Sequence, residues 1–188
     1  MKILQICQSY PPMISGASLA VAQLAKGTAR IGHDVMVIAA SDRREGYTTQ
    51  NGRLRVERLP SLHNPARVGQ RFLLWPQRQL HILVEEFEPD IIHLHDPLNL
   101  GICGLRAAER IKNPAVATLH QLPWFITKSM PTPRGIPVNF EWLLWQHGSR
   151  FVGRCTACIV PMRIEIATIV EIVQDIRVIT MWQPQLFR

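Results

Sequence analysis

The chain has 188 residues, 47% of them hydrophobic and 19% charged, and 21 Lys plus Arg against 14 Asp plus Glu give a net charge of +7. That size supports one domain with a substantial buried core, and that balance excludes a disordered chain. The excess positive charge favours anionic partners such as phosphates or anionic lipid. The basic residues at Arg43–Arg44, Arg53 to Arg58, Arg67 to Arg78 and Arg150 to Arg163 never form the dense block of a nucleic-acid arm, so each cluster reads as a solvated face and no nucleic-acid partner is expected.

The first apolar run, near 2 to 8, reads as a strand and is followed by Tyr10-Pro11-Pro12 and then Ser15-Gly16-Ala17. Prolines continue neither a ladder nor a helix interior, so they force a bend, and Gly16 leaves backbone that a ligand can approach. A helix over 16 to 31, with Leu19, Ala22, Leu24 and Ala25 on its apolar side, stops at Gly32. Further strands are expected near 34 to 39, 54 to 59, 90 to 95, 114 to 119, 157 to 160 and 176 to 180, with helices near 68 to 87, 99 to 111, 137 to 154 and 162 to 174. Strands that are nearly continuous apolar runs and alternate with helices predict a Rossmann-like, doubly wound α/β domain. Its sheet is mostly parallel, with helices on both faces. In such sheets ligands gather beyond the carboxyl ends of the strands, where free N–H groups at the start of the first helix favour a phosphate; the stretch is no G-x-G-x-x-G fingerprint, and locally Gly16 reads equally as a residue that only permits a tight turn.

Of four cysteines, Cys7 and Cys103 lie in apolar segments, and Cys155 and Cys158 form a C-x-x-C with no second half to complete a zinc site; all four read as packing residues in a reduced compartment. His93 and His95 fall on one side of a strand and precede Asp96, a pattern that resembles a metal site. The stretch "LPWFITKSMPTPRGIPVNFEWLLW" joins Trp124, Phe125, Trp142 and Trp145 to basic residues and prolines. Its loop reads equally as packed on its own domain or as touching a lipid surface, whereas Trp142 and Trp145, at i and i+3, are expected to face the core. No apolar run reaches the ~18 residues of a membrane span, and no signal-peptide pattern opens the chain. The expected location is cytoplasmic, with peripheral contact to a membrane surface.

Five stretches together, "KILQICQSYPPMISG", "LAKGTARIGHDVMVIAA", "EPDIIHLHDPLNLG", "PAVATLHQLPWFITKS" and "CTACIVP", resemble in order and spacing the N-terminal domain of a family 4 glycosyltransferase of the GT-B architecture. The resemblance implies retaining transfer of a sugar from a nucleotide-sugar co-substrate to an acceptor, without metal or other cofactor, in a cleft between two Rossmann-like domains. It places Ser15, Gly16 and Ala17 at the donor diphosphate, where the family usually has Gly-Gly. It makes His120 the active-site histidine and puts His95, Asp96 and Lys128 on the acceptor side, with His93 packed inside and no metal at the H-x-H. Residues 1 to 188 then form the acceptor-side half alone, and the donor-binding C-terminal domain is absent. Where relatives lead into that domain, this chain reads Val178-Ile179-Thr180-Met181-Trp182-Gln183-Pro184. Just upstream, Ile164, Ile166, Ile169, Val170, Ile172 and Val173 cover more than one helix face, which suggests a homodimer through 162 to 174. An isolated half is expected to lack activity. The rival expectation is a non-catalytic or engineered fold module with the same sequence features.

Overall fold

A computed structural model of the chain describes residues 1–64, 71–120, 139–160 and 177–180. Its contacts divide it into two compact units, Met1–Ala115 and Val116–Arg188.

In the first unit the apolar runs become parallel strands. β1 (Lys2–Cys7) pairs with β2 (Asp34–Ala40) on one side, Ile3 opposite Val35 and Ile6 opposite Ile38. On its other side it pairs with β7 (Ile91–Leu94), Ile3 opposite Ile91. β4 (Leu54–Leu59) continues the parallel sheet beside β2, and β3 (Tyr47–Asn51) closes the edge antiparallel to β4. The strand order within this unit is therefore β7-β1-β2-β4-β3. A two-stranded ribbon, β5 (Leu62–His63) with β6 (Arg71–Phe72), stands apart from it.

Alternate side chains of a strand go to opposite faces. Cys7, Val35, Val37, Ala39 and Val56 share a buried cluster with Val21, Ala22 and Ala25 of α1 (Gly16–Arg30). The expected stripe on α1 is displaced: Ser18, Val21, Ala22 and Ala25 are buried, while Leu19 and Leu24 are 50% and 38% exposed. The helix ends as expected, with Gly32 at φ +97°. On the other face Ile6 and Leu94 meet α3 (Asn99–Ile111), and Gly104 is what permits the approach: a Cβ there would lie 2.5 Å from Ile6 Cδ1 and 2.8 Å from Leu94 Cδ2. α2 (Gln77–Phe87) buries Leu80 and Val84. It starts nine residues later than the expected helix at 68, because Arg71–Phe72 is extended and Pro76 supplies the cap.

The second unit holds β8 (Ala115–Thr118) from its second residue on, α4 (Asn139–Val152), β9 (Ala157–Val160) and β10 (Arg177–Thr180), with β9 parallel to both β8 and β10. Phe151, Val152, Cys155 and Cys158 are buried. The two α4 tryptophans do not both face the core as expected: Trp142 is 59% exposed and Trp145 is half-buried. The expected helix over 162 to 174, the loop holding Trp124, Phe125 and Lys128, and the terminal stretch from Met181 lie outside the described residues.

Candidate functional site

The first unit reverses its strand order around β1: the chain moves outward through β2, then returns to lay β7 on β1's other side. The crevice at such a reversal opens beyond the carboxyl ends of those two strands. Two loops leave there, Gln8 to Ser15 from β1 and His95 to Leu98 from β7.

The β1 loop feeds the N-terminus of α1. Ser15 is the N-cap; its hydroxyl accepts from Ser18 N at 3.0 Å, and Ser18 Oγ accepts from Ser15 N at 2.9 Å, a reciprocal box. Ser18 Oγ also donates to Met13 O at 2.7 Å, and Met13 N donates back to Tyr10 O at 3.2 Å. Of the donors in the first turn, Gly16 N and Ala17 N have no acceptor within the protein among the described residues. Both positions lie at the surface or just beneath it, and a Cβ on Gly16 would meet nothing within 4 Å. Two unused N–H groups at the positive end of a helix, beside open space, form an anion-receptive surface.

Behind this loop sits a residue that sequence reading placed on a solvated face. Arg58, at the end of β4, is 5% exposed. Its Nη1 donates to Ala40 O at 3.1 Å and Tyr10 O at 3.3 Å, and its Nη2 donates to Pro11 O. The guanidinium carbon lies 5.0 Å from the Tyr10 ring centre and 6.0 Å from that of Tyr47. No carboxylate pairs with it among the described residues. The available signal was position: a charge between Val56 and Leu59, in a strand expected to be covered on both faces, has little room to reach water.

On the β7 side, Asp96 joins the two loops. Its Oδ2 accepts from Gln8 N at 2.7 Å and its Oδ1 from Leu98 N at 3.1 Å, tying the end of β1 to the start of α3. Burial pushes its pKa up to about 6, against the lowering effect of those two N–H groups. Gly101 packs directly on the Asp96 carbonyl, a contact no sequence signal marked. His93 is buried, as expected; His95 is buried too, at 3% exposure, its ring centre 4.1 Å from that of His93. In this structure His95 is thus a group behind the rim, and Asp96 is the one nearer the surface. Among the described residues no group of three or more His, Cys, Asp or Glu could hold a metal ion. Cys7, whose thiol is pushed up by burial and then by the charge of Asp96, is buried, as are Cys103, Cys155 and Cys158.

His120 belongs to the second unit, two residues beyond β8. It is partly buried, and that burial holds its pKa below the ordinary 6.5, so the imidazole is neutral at pH 7. Ser15, Gly16 and Ala17 thus end the β1 loop and Asp96 lies in the β7 loop of the first unit, His95 lies behind that rim, His120 belongs to the second unit, and Lys128 lies outside the described residues.

The chain is similar to known proteins. A GDP-mannose-dependent alpha-mannosyltransferase of Mycobacterium tuberculosis is 31% identical over 160 residues, covering 81% of this chain and 40% of the relative. An alpha-monoglucosyldiacylglycerol synthase of Acholeplasma laidlawii is 25% identical over 169 residues, covering 87% of this chain and 41% of the relative. The chain thus spans about two fifths of the length of these curated relatives. Among solved structures, the sucrose-phosphate synthase of Thermosynechococcus elongatus superposes with a TM-score of 0.67 at 11% identity, over 96% of this chain and 47% of that one, and shares the fold. The architecture is the Rossmann-like α/β half of a GT-B fold. The family model for Glycosyltransferase Family 4 matches residues 14–180, from the residue before the Ser15 cap to the last residue of β10, and on that match the chain belongs to Glycosyltransferase Family 4.

Proposed function

We propose that residues 1 to 188 are the acceptor-side half of a retaining, metal-independent glycosyltransferase whose co-substrate is a nucleotide-sugar, completed by a separate donor-binding domain. The observation that carries this reading is the pair of unused N–H groups, Gly16 and Ala17, at the crevice of a chain of this family. In the reaction the bond from the anomeric carbon to the diphosphate oxygen breaks, a bond from that carbon to an acceptor hydroxyl oxygen forms, and the hydroxyl proton passes to the leaving diphosphate. Gly16 N and Ala17 N, with Ser15 fixing the turn, would meet the negative charge that grows on that diphosphate. His120, neutral at pH 7, would hydrogen-bond a hydroxyl of the sugar and hold it for transfer. Asp96 and Lys128 would shape the acceptor side, with His95 packed behind Asp96.

The relatives' names supply the first substrates to test: GDP-mannose as donor and a diacylglycerol-based lipid as acceptor. A lipid acceptor would be met at a membrane surface, and the run Phe72, Leu74 and Trp75, exposed by 52%, 59% and 81%, is suited to that contact. No helix among the described residues is long and apolar enough to cross a membrane.

Transfer needs donor and acceptor held together with water excluded, so the 188 residues alone are expected to turn over no nucleotide-sugar. The test is to fuse the chain to the donor-binding domain of the mannosyltransferase relative and follow GDP-mannose consumption with His120→Ala and Gly16→Val as comparisons. Activity in the fusion that both substitutions abolish supports the reading. Activity that neither substitution changes overturns the site, and robust transfer by the unfused chain overturns the half-enzyme reading.

A further inference from the structure

We infer that Arg58 is a positioning residue for the donor site, acting through the main chain: it fixes the direction in which the Gly16 and Ala17 N–H groups point and adds a desolvated positive charge behind them. This rests on the donor-site reading of the α1 N-terminus.

A guanidinium at 5% exposure with no carboxylate partner among the described residues is costly to keep in a core. A neutral side chain of similar reach would fill the same space at less cost, so what sets Arg58 apart is the positive charge and the planar fork. The fork spans two segments. One arm reaches Ala40 O, the last residue of β2, and Tyr10 O; the other reaches Pro11 O. Ala40 belongs to the rigid sheet, whereas Tyr10 and Pro11 belong to the loop, so the guanidinium pins the loop to the sheet.

From there the linkage is continuous. Tyr10 O, held by Arg58, also accepts from Met13 N at 3.2 Å; Met13 O accepts from Ser18 Oγ at 2.7 Å; Ser18 closes the box with Ser15; and the box flanks the two unused N–H groups. Each link is a hydrogen bond between neighbouring groups, and the chain starts from a side chain that touches no ligand itself. The Tyr10 ring, 5.0 Å from the guanidinium carbon, covers the cation and shields it from water, which lengthens the reach of its field toward the helix start. Lysine could match the charge and not the fork, because a single ammonium cannot span Ala40 O, Tyr10 O and Pro11 O in one plane.

The experiment uses the isotopically labelled 188-residue chain, with inorganic pyrophosphate as the probe. Backbone amide resonances of Gly16, Ala17 and Ser18 are followed during titration for the wild type, Arg58→Lys and Arg58→Met, with thermal unfolding and the Gly101 amide as controls for global change. The expected result is a pyrophosphate response centred on Gly16 and Ala17 in the wild type, weakened at least tenfold in Arg58→Met and to an intermediate degree in Arg58→Lys. The free-state resonances of residues 16 to 18 should be displaced while Gly101 stays in place. A purely structural role would shift the unfolding transition and leave relative affinity among folded variants unchanged. Should Arg58→Met not fold, Arg58→Lys carries the comparison. A wild-type response that the folded variants retain within twofold overturns the role of Arg58 alone. No response in the wild type, with loop resonances still displaced by Arg58→Lys, overturns the donor-site reading while leaving the link from Arg58 to the loop in place. No displacement in either variant overturns that link.

Discussion

Three glycines separate backbone necessity from packing necessity: replacing Gly101 and Gly104 by alanine tests how α3 seats on the sheet, and Gly27 of α1 is the open reference. At Gly27, exposed and well inside α1, a Cβ meets nothing within 4 Å, so Gly27→Ala should stabilise by about 0.5–1 kcal/mol through reduced freedom of the unfolded chain. At Gly104 the Cβ would lie 2.5 Å from Ile6 Cδ1 and 2.8 Å from Leu94 Cδ2. Both are the ends of side chains that can turn aside within a filled core, so the net cost should be about 1 kcal/mol. At Gly101 the Cβ would overlap the Asp96 carbonyl oxygen and come 3.0 Å from its carbon, and a main-chain carbonyl cannot rotate away. Relief requires α3 or the end of β7 to move, which strains the Asp96 bonds to Gln8 N and Leu98 N. Losing the better part of one charge-assisted hydrogen bond, on top of overpacking, puts Gly101→Ala at about 3 kcal/mol. Urea unfolding followed by circular dichroism, with m-values compared, measures all three. If Gly101→Ala costs under about 0.5 kcal/mol, or no more than Gly104→Ala, then Asp96 is not the rigid junction described above.

Asp96 gives a pH dependence whose sign follows from its raised pKa. Between the unfolded value of 3.8 and about 6 the native state keeps a proton that the unfolded chain has released, so its stabilisation is present below pH 4 and is lost as pH rises through 6. The two-unit gap bounds the effect at about 3 kcal/mol, and the stability difference between wild type and Asp96→Asn should therefore slope across pH 4 to 6.5; a flat difference counts against the burial assigned to this carboxyl. Ser15→Ala removes the acceptor for Ser18 N and should cost about 1 kcal/mol by the same urea assay, with Ser15→Gly costing only a few tenths. Gly16→Val should leave thermal stability nearly unchanged, because its side chain enters open space, yet abolish the amide response to pyrophosphate; a response that persists means the anion does not sit there. In the fused enzyme, the acid limb of kcat/KM should break below pH 6.5, since burial lowers the His120 pKa; a break above pH 6.5 counts against a role for that imidazole.

The parallel strands were legible because a strand covered on both faces is written almost wholly in apolar residues: the readings near 34 to 39, 157 to 160 and 90 to 95 fall on Asp34–Ala40, Ala157–Val160 and Ile91–Leu94. The strand Tyr47–Asn51 escaped for the converse reason. As an antiparallel edge it is mostly exposed, and its Thr-Thr-Gln-Asn carries no buried run. The helix read from 68 failed at its start because Phe72, Leu73, Leu74 and Trp75 look like a helical face in sequence, while Pro76 lacks the N–H that would continue a helix through them. At the site, the bend and the helix start were legible from Pro11, Pro12 and Gly16, since proline and glycine act through the local backbone. The partners of Arg58 and Gly101 were not, because each lies opposite in another segment, Tyr10 and Pro11 for one and the Asp96 carbonyl for the other, 47 to 48 and 5 positions away.

The Ser15-Gly16 that stands where the resemblance leads one to expect Gly-Gly has a backbone that does not require the first glycine. Ser15 has φ −154° and ψ 160°, extended geometry that any residue adopts, so nothing at this position demands glycine. Gly16 likewise is not among the residues with positive φ, and the space beside it is open. What the proposed phosphate site needs here is unoccupied N–H donors and room to approach them. A serine at the cap consumes only the third donor of the turn, Ser18 N, and leaves the first two, so it rigidifies the entrance to α1 without closing it. A bulky residue one position later would do the reverse, leaving the cap intact while filling the approach. The departure from Gly-Gly therefore falls on the one of the two positions where a side chain can be put to use.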